Sequence, residues 1–95
     1  MSDICLAAAR YAREGHPDLT LRQIAIFGLI CDEPGQSVGP LARTLGLSKP
    51  VITRAKLVLT AMGLIESVPI KQDRRKISIS PTGYGVELRQ KLGSL

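Results

Sequence analysis

The sequence has no tryptophan, one histidine and two cysteines among its 95 residues. Two cysteines, Cys5 and Cys31, are too few for the disulfide framework of a small secreted scaffold. Together with the single histidine, His16, they lack the spacing of a zinc site. There is no glycine-rich phosphate-binding loop, and the adjacent carboxylates Asp32 and Glu33 need not converge on one substrate. These absences argue against an enzyme and against a bound cofactor or metal ion.

Long apolar segments are also absent. The most apolar run, Ile24–Cys31, has eight residues, whereas a membrane-spanning helix needs about 20. The N-terminal residues Met1-Ser2-Asp3 lack the basic start and the apolar core of a signal peptide. We therefore expect a soluble cytoplasmic protein with no membrane partner. A chain of this length allows one small domain, and such domains often gain stability by pairing.

The positive charge is concentrated in the middle of the chain. The formal net charge is +5. Residues 49–76 carry seven basic and two acidic side chains, so this segment alone accounts for the whole excess. Residues 1–48 have a net charge of −1 and residues 77–95 of +1. A basic segment beside a weakly acidic remainder favours a polyanionic partner, although an ordinary solvated face gives the same count.

Hydrophobic periodicity and capping residues predict four helices, two strands and a last helix. The fold class is therefore mainly α with a small β-hairpin (α+β), a winged helix-turn-helix in a single domain over residues 1–95. Thr20 and Gln23 form a capping box that begins an almost wholly apolar second helix, which we expect at the centre. The predicted parts are terminal helices over about 3–14 (N-cap Asp3) and 82–92 (N-cap Thr82), a helix-turn-helix over 38–62 and a wing over 64–80.

The helix-turn-helix is the strongest motif. Ala42 is the small residue at which the two helices cross closely, and Gly46, four residues later, occupies a turn that favours a left-handed backbone. Leu47 and Ile52 are the apolar residues that fill the space between the helices. Winged helices with this pattern bind nucleic acid, but some serve as protein-docking modules, so both functions stay open.

The second helix of the motif is the predicted recognition helix, whose first turns enter the major groove of DNA. Arg54 can donate two hydrogen bonds to O6 and N7 of a guanine. Thr53 can contact a thymine methyl group or a phosphate, and Lys49 lies at the start of the helix, close to the DNA backbone. The predicted DNA contacts of this helix are Ser48, Lys49, Thr53, Arg54 and Lys56.

The predicted hairpin has a long, basic tip over residues 71–75. Lys71, Arg74 and Arg75 are its predicted DNA contacts, because an arginine at a hairpin tip can enter a narrow minor groove. Asp73 is expected to pair with an arginine and to hold the wing in shape. The alternative is a flexible charged loop that makes no contact with DNA.

Taken together, these motifs resemble the multiple-antibiotic-resistance regulator (MarR) family. The D-R-R wing signature of that family stands at Asp73-Arg74-Arg75, and its later T-x-x-G stands at Thr82-Gly83-Tyr84-Gly85. The resemblance covers roughly residues 18–90. It is also carried by the segments Leu19–Gln23, Leu41–Lys49 and Met62–Ile65.

The resemblance implies a bacterial transcription regulator that binds a palindromic operator in double-stranded DNA as a homodimer. It also implies that the arginine after the wing aspartate, Arg74 or Arg75, enters the minor groove. Family members have longer terminal helices that build the dimer, so the short terminal segments here leave the dimer interface open. They also bind effectors between the dimerising helices and the DNA-binding lobe, but no residue of this sequence specifies such a ligand.

Two features support other interpretations. Leu57 and Val58 stand where the family often has charged residues, and if exposed they form an apolar patch that requires a partner. They favour the alternative function, a winged-helix protein-interaction (adaptor) module without sequence-specific DNA binding, which the clustered basic residues oppose. Cys5 suggests an oxidation sensor by resemblance, but we expect it to be a small buried apolar residue, and Cys31 to be structural.

Overall fold

The computed structural model describes residues 4–93 of the chain, without the side chains of Ile4, Arg74 and Arg75. Within this range the order is four helices, two antiparallel strands and a fifth helix, which confirms the predicted order and the α+β class. The elements are α1 (Ile4–Arg13), α2 (Leu21–Asp32), α3 (Val38–Leu45), α4 (Lys49–Ala61), β1 (Ile65–Ile70), β2 (Asp73–Pro81) and α5 (Gly83–Gly93). The predicted N-cap Asp3 lies outside the described residues.

Helix α2 forms the centre of the fold. The predicted capping box is present: Gln23 N donates to Thr20 Oγ1 at 3.1 Å, and Thr20 N donates to Gln23 Oε1 at 2.9 Å. The helix packs against α3, α4, α5 and β2. Its residues Ile26, Phe27 and Ile30 are buried. Because neighbours cover several of its sides, an almost wholly apolar helix is stable here.

Helices α3 and α4 form the predicted helix-turn-helix. Gly46 ends α3 with a φ of 67°, a left-handed conformation that costs little only in glycine. The N–H of Leu47 donates to the carbonyl of Ala42 at 3.0 Å, so the turn folds back onto α3. Leu41, Ala42 and Ile52 are all buried, in agreement with their predicted inward positions.

The hairpin differs from the prediction at its tip. Strand β1 continues to Ile70, so the connecting turn contains only Lys71-Gln72. The prediction of a long loop over residues 71–75 was wrong, because local polarity does not distinguish an exposed strand from a loop. The register shifts after Pro69, which has no N–H to donate to the ladder. Pro69 pairs with Ile77 and Ile70 with Asp73, so the three residues between these pairs on β2, Arg74-Arg75-Lys76, have no backbone partner on β1 in the described register.

The other end of the hairpin is anchored in the core. Ile65 and Ile79 are buried there. The N–H of Ile79 donates to the carbonyl of Gln36 at 2.9 Å, so the loop before α3 covers part of the outer edge of β2. Ile77 lies on the same face of the strand as Ile79, but it is 40% exposed. The core therefore covers only the base of the predicted half-buried strand.

The start of α5 is joined to the end of α4 by the T-x-x-G motif. Thr82 Oγ1 accepts a hydrogen bond from Gly85 N at 3.0 Å and donates one to the carbonyl of Gly63 at 2.6 Å. A Cβ atom on Gly85 would lie 2.1 Å from the carbonyl oxygen of Leu64. Only glycine therefore allows the helix to approach this closely, while the threonine caps it.

The two cysteines lie in different surroundings. Cys5 is exposed, so the expectation that it is buried was wrong: it lies on a helix that the core covers on one side only. Cys31 is partly buried, and burial raises the pKa of its thiol to about 11. This thiol stays protonated at neutral pH, and a structural role for Cys31 stays a prediction.

Neither a membrane-spanning helix nor a cluster of metal ligands occurs in the described part of the chain. No helix in residues 4–93 is long and apolar enough to cross a bilayer. No group of three or more histidine, cysteine, aspartate or glutamate side chains in those residues is placed to hold a metal ion.

Candidate nucleic-acid interface

The orientation of α4 is set by its cap and by the core. Ser48 Oγ accepts a hydrogen bond from Val51 N at 3.4 Å, so the helix begins where the sequence predicts. Ile52, Ala55 and Leu59 are buried on its inner face. Residues three and four positions apart share a helix face, so the opposite face of α4 must point away from the core.

The outward face of α4 carries most of the predicted DNA contacts. Ser48, Lys49, Thr53 and Arg54 are exposed. Lys56 is only half-buried rather than exposed, because it is four residues after Ile52 and three before Leu59 and so lies at the edge of the core-facing side. The structure thus gathers four of the five predicted α4 residues on one open surface, with Lys56 at its margin.

A shallow groove of about 220 Å³ separates the start of α2 from α4. Arg22 and Arg54 both line it, one from each helix. The capping box already uses the side chains of Thr20 and Gln23, which also line the groove. The full lining is Thr20, Arg22, Gln23, Val51, Arg54, Ala55 and Val58. The charged groups of this groove are therefore the two guanidinium groups.

A second pair of basic side chains meets beside α3. Gly39 has no side chain, and the side chains of Arg43 and Lys49 both lie next to the position that a Cβ atom would occupy. Nη1 of Arg43 lies 3.7 Å from that position, and Cε of Lys49 lies 3.8 Å from it. Arg43, one helical turn after Gly39, therefore shares a surface with the predicted contact Lys49.

The predictions from sequence did not include Arg22 and Arg43. Charge counted by segment places both arginines in the weakly acidic half of the chain. A signal for Arg22 was present, because the capping box fixes its position in the first turn of α2. A signal for Arg43 was its spacing of four residues from Gly39, because residues four apart share a helix face and glycine has no side chain to occupy that face.

The basic residues of the hairpin tip lie in the turn and in the first half of β2, and those whose side chains are described are exposed. Lys71 lies in the turn and is exposed, and Lys76 in β2 is exposed as well. Arg74 and Arg75 belong to β2, and their side chains lie outside the described part of the structure. The predicted pairing of Asp73 with an arginine stays a prediction.

The two apolar residues in α4 separate into different environments. Leu57 is 63% exposed and lies on the same face as Thr53 and Arg54. Val58 is half-buried and lines the groove between α2 and α4. The predicted apolar patch is therefore reduced on this helix to Leu57.

A larger, mainly apolar cavity of about 500 Å³ lies at another part of the molecule. Leu21 of α2 and Leu92 of α5 line it together with the inner side of α1. The loop after α1 is held by the Tyr11 hydroxyl, which donates to the carbonyl of Pro17, and by His16 Nε2, 2.7 Å from a Glu14 carboxylate oxygen. The lining is Ala7, Ala8, Tyr11, Ala12, His16, Asp18, Leu19, Leu21, Ile24 and Leu92.

A helix-turn-helix followed by a two-stranded hairpin and a closing helix defines a winged-helix protein. The model of the MarR family matches residues 18–76, which is more than half of the chain and contains α2, the helix-turn-helix and the hairpin tip. The chain therefore belongs to the MarR family. Among curated proteins, no sequence matches it significantly.

Solved structures share the fold at low sequence identity. E. coli MarR in its apo form is 20% identical, with a TM-score of 0.82, and the match covers 96% of this chain and 65% of that one. The S. aureus MepR–DNA complex is 22% identical, with a TM-score of 0.84, over 96% and 73%. S. pneumoniae FabT in complex with DNA is 20% identical, with a TM-score of 0.77, over 96% and 67%. This chain thus spans about two thirds of the length of these relatives.

Proposed function

We propose that this protein is a transcriptional regulator that binds double-stranded DNA sequence-specifically, with α4 in the major groove and the hairpin in the minor groove. One observation carries the proposal: the face of α4 opposite its buried residues is open and basic. Thr53 and Arg54 lie on it, and Lys49 lies at its border. An exposed helix of this kind fits the width of the major groove. The proposal includes no chemical step and no catalytic residue.

Each proposed contact on α4 has a chemical role. Arg54 reads a guanine through two hydrogen bonds, and Thr53 contacts a thymine methyl group or a phosphate. Ser48 and Lys49, at the start of the helix, bind phosphate and fix the orientation of α4 on the duplex. Lys56, at the margin of the face, adds a longer-range attraction to the DNA backbone.

The hairpin supplies a separate set of contacts. Lys71, Arg74 and Arg75 lie in or beside the turn. In the proposed complex their positive charges follow the negative potential of a narrow minor groove. The MepR and FabT structures are DNA complexes with the same fold, which supports binding of DNA by this chain.

The proposal further places two copies of the chain on a palindromic site. Leu6 of α1 and Leu21 of α2 are 59% and 67% exposed, and Leu21 lines the apolar cavity. Apolar surface of this kind is stabilised when a partner covers it. A twofold pair would present two α4 helices to half-sites about 34 Å apart.

Selection of bound duplexes from a random pool tests the proposal most directly. We expect an enriched motif with twofold symmetry, and affinity for the selected duplex that falls steeply with salt. Each phosphate contact contributes a slope of about −0.9 in log K against log salt. A pool that shows no enrichment, together with a flat salt response, contradicts the proposal.

The alternative function is a protein-interaction module, and exposed Leu57 favours it. A docking surface of that kind needs apolar contact at Leu57 and makes no use of the guanidinium of Arg54. Substitution of Arg54 by alanine separates the two functions, because it alters base preference only in a DNA-binding protein.

A further inference from the structure

We propose that Arg22 and Arg43 bind DNA backbone phosphates on opposite sides of α4, so that the recognition helix is held between two phosphate contacts from other helices. The inference rests on the proposed DNA-binding function and adds two residues to it. Both residues come from the half of the chain whose net charge is −1. They are therefore not part of the basic segment that the sequence indicates.

The positions around α4 place the two arginines on different flanks. Successive residues of an α-helix are about 100° apart. The buried residues Ile52 and Leu59 mark the side of α4 that faces the core, and Leu57 lies on the opposite side. Lys49 lies about a quarter turn to one side of that face, toward Arg43. The groove residues Val51 and Val58 lie on the other side, toward Arg22.

On the first flank, Arg22 shares a groove with Arg54. Both side chains are exposed, and no ion pair or hydrogen bond of either is found among the residues whose side chains are described. The other polar side chains of the groove, those of Thr20 and Gln23, each accept a hydrogen bond from the backbone N–H of the other residue in the capping box. Two guanidinium groups that share one groove repel each other, and a phosphate bound by Arg22 weakens this repulsion while Arg54 stays directed to the bases.

On the second flank, Arg43 and Lys49 converge over Gly39. The distances of 3.7 and 3.8 Å from the position of a Cβ show that both side chains turn to the same patch. Arg43 is exposed, and it reaches this patch from α3 while Lys49 reaches it from α4. This patch carries two positive charges and presents them to whatever lies beside the start of α4.

The major groove of B-DNA is about 12 Å wide and is bordered by one phosphate backbone on each side. A helix that lies in this groove therefore has phosphates on both flanks. Contacts to phosphate fix the position of the protein without reading sequence. Arg22 and Arg43 thus set the depth and register of α4, while Arg54 reads the bases.

The test measures affinity of the full chain for a fluorescein-labelled 24-base-pair duplex of random sequence at several KCl concentrations. We expect Arg22→Gln and Arg43→Gln each to reduce the salt slope by about 0.9 and the affinity at 0.15 M salt by about fivefold. The double variant should reduce the slope by about 1.8. Arg22→Lys and Arg43→Lys should restore most of the slope, because a phosphate contact needs a positive charge rather than a particular shape.

Two further variants control for charge and for folding. Arg13→Gln removes an exposed positive charge from α1 and should keep the wild-type slope. Gly39→Asp adds a Cβ atom that would be in ordinary van der Waals contact with Arg43 and Lys49, and it brings a carboxylate close to these two cations. Because an acidic residue in the first turn stabilises a helix, this variant should unfold no earlier than the wild type and still bind DNA more weakly.

The outcomes separate this inference from the function on which it rests. No salt-dependent binding by the wild type overturns both. Wild-type binding with unchanged slopes for Arg22→Gln and Arg43→Gln overturns the inference and leaves the proposed function standing. An equal loss in Arg13→Gln also overturns it, because the effect then reports total charge. Loss in the two variants, with Arg13→Gln unchanged, supports it.

Discussion

Helix α4 and the hairpin are the two elements proposed to enter the grooves of DNA, and they are attached to the protein in different ways. Ile52, Ala55 and Leu59 anchor α4 along its length. The hairpin is anchored only at its base, where Ile79 is 1% exposed. Toward the tip, Val68 is 52% exposed. The core therefore fixes the position of α4 and leaves the tip of the hairpin without apolar support.

This difference assigns different tasks to the two elements. Base readout needs donors held within a few tenths of an ångström, which a helix packed on the core provides. A hairpin tip without core contacts suits attraction by charge, which tolerates movement. Arg54 should therefore determine which sequence is bound, and the residues of the tip should determine how strongly any duplex is bound.

The largest expected effect tests the anchored base of the hairpin. Ile79→Ala should lower the free energy of unfolding by about 2–5 kcal/mol, because it leaves a cavity in the core. Ile77→Ala, two residues away on the same face, should lower it by less than about 1 kcal/mol, since Ile77 is 40% exposed. Urea denaturation followed by circular dichroism measures both values. Equal losses would mean that the core supports the whole strand.

The same pair shows what could be predicted from sequence. The alternation around Ile77 and Ile79 predicts a half-buried strand, and the strand is present. Which of its residues are buried depends on the elements that pack against the strand, here α2 and α5, and on where the loop at Gln36 bonds to the backbone of Ile79. This contact joins residues far apart in sequence, so local periodicity does not contain it.

Local motifs were predicted correctly because their causes are local. The capping box needs only Thr20 and Gln23 in one turn, and the turn at Gly46 needs only one left-handed residue. The arginines of the candidate interface are different. Arg22 and Arg43 reach α4 through the packing of α2 and α3, and a count of charge along the chain cannot show that proximity.

The second prediction compares the two elements directly on DNA. Arg54→Ala should cost about 1–3 kcal/mol of discrimination at one base pair of the selected site. Lys71→Ala, in the turn of the hairpin, should weaken binding to all duplexes about fivefold at 0.15 M salt. Competition binding against single-base variants of the site measures both. A uniform loss with Arg54→Ala would make it a phosphate contact and would remove the difference between helix and hairpin.

The third prediction concerns the junction that connects α4 to the hairpin and α5. Thr82→Ala removes the hydroxyl that bonds Gly85 N and the carbonyl of Gly63. It should lower the free energy of unfolding by about 1 kcal/mol, as the loss of an N-cap does. Thr82→Ser keeps the hydroxyl and serves as the control, with a loss well below that of alanine. Thermal unfolding measures both variants. An equal loss of stability in Thr82→Ala and Thr82→Ser would show that the hydroxyl does not cap the helix.

The smallest expected effect distinguishes the two apolar residues in α4. Leu57→Ala should change the free energy of unfolding by no more than about 0.5 kcal/mol, because 63% of Leu57 is exposed. Val58→Ala should lower the free energy of unfolding by about 1 kcal/mol, because Val58 lines the groove against α2. DNA affinity of Leu57→Ala should stay within about twofold of the wild type, since Leu57 supplies no charge. If Leu57→Ala instead abolished capture of a protein partner while DNA binding was absent in both forms, α4 would be a docking helix. Leu57 would then make apolar contact with the partner, and the core would hold α4 in place for a protein surface rather than for a base pair.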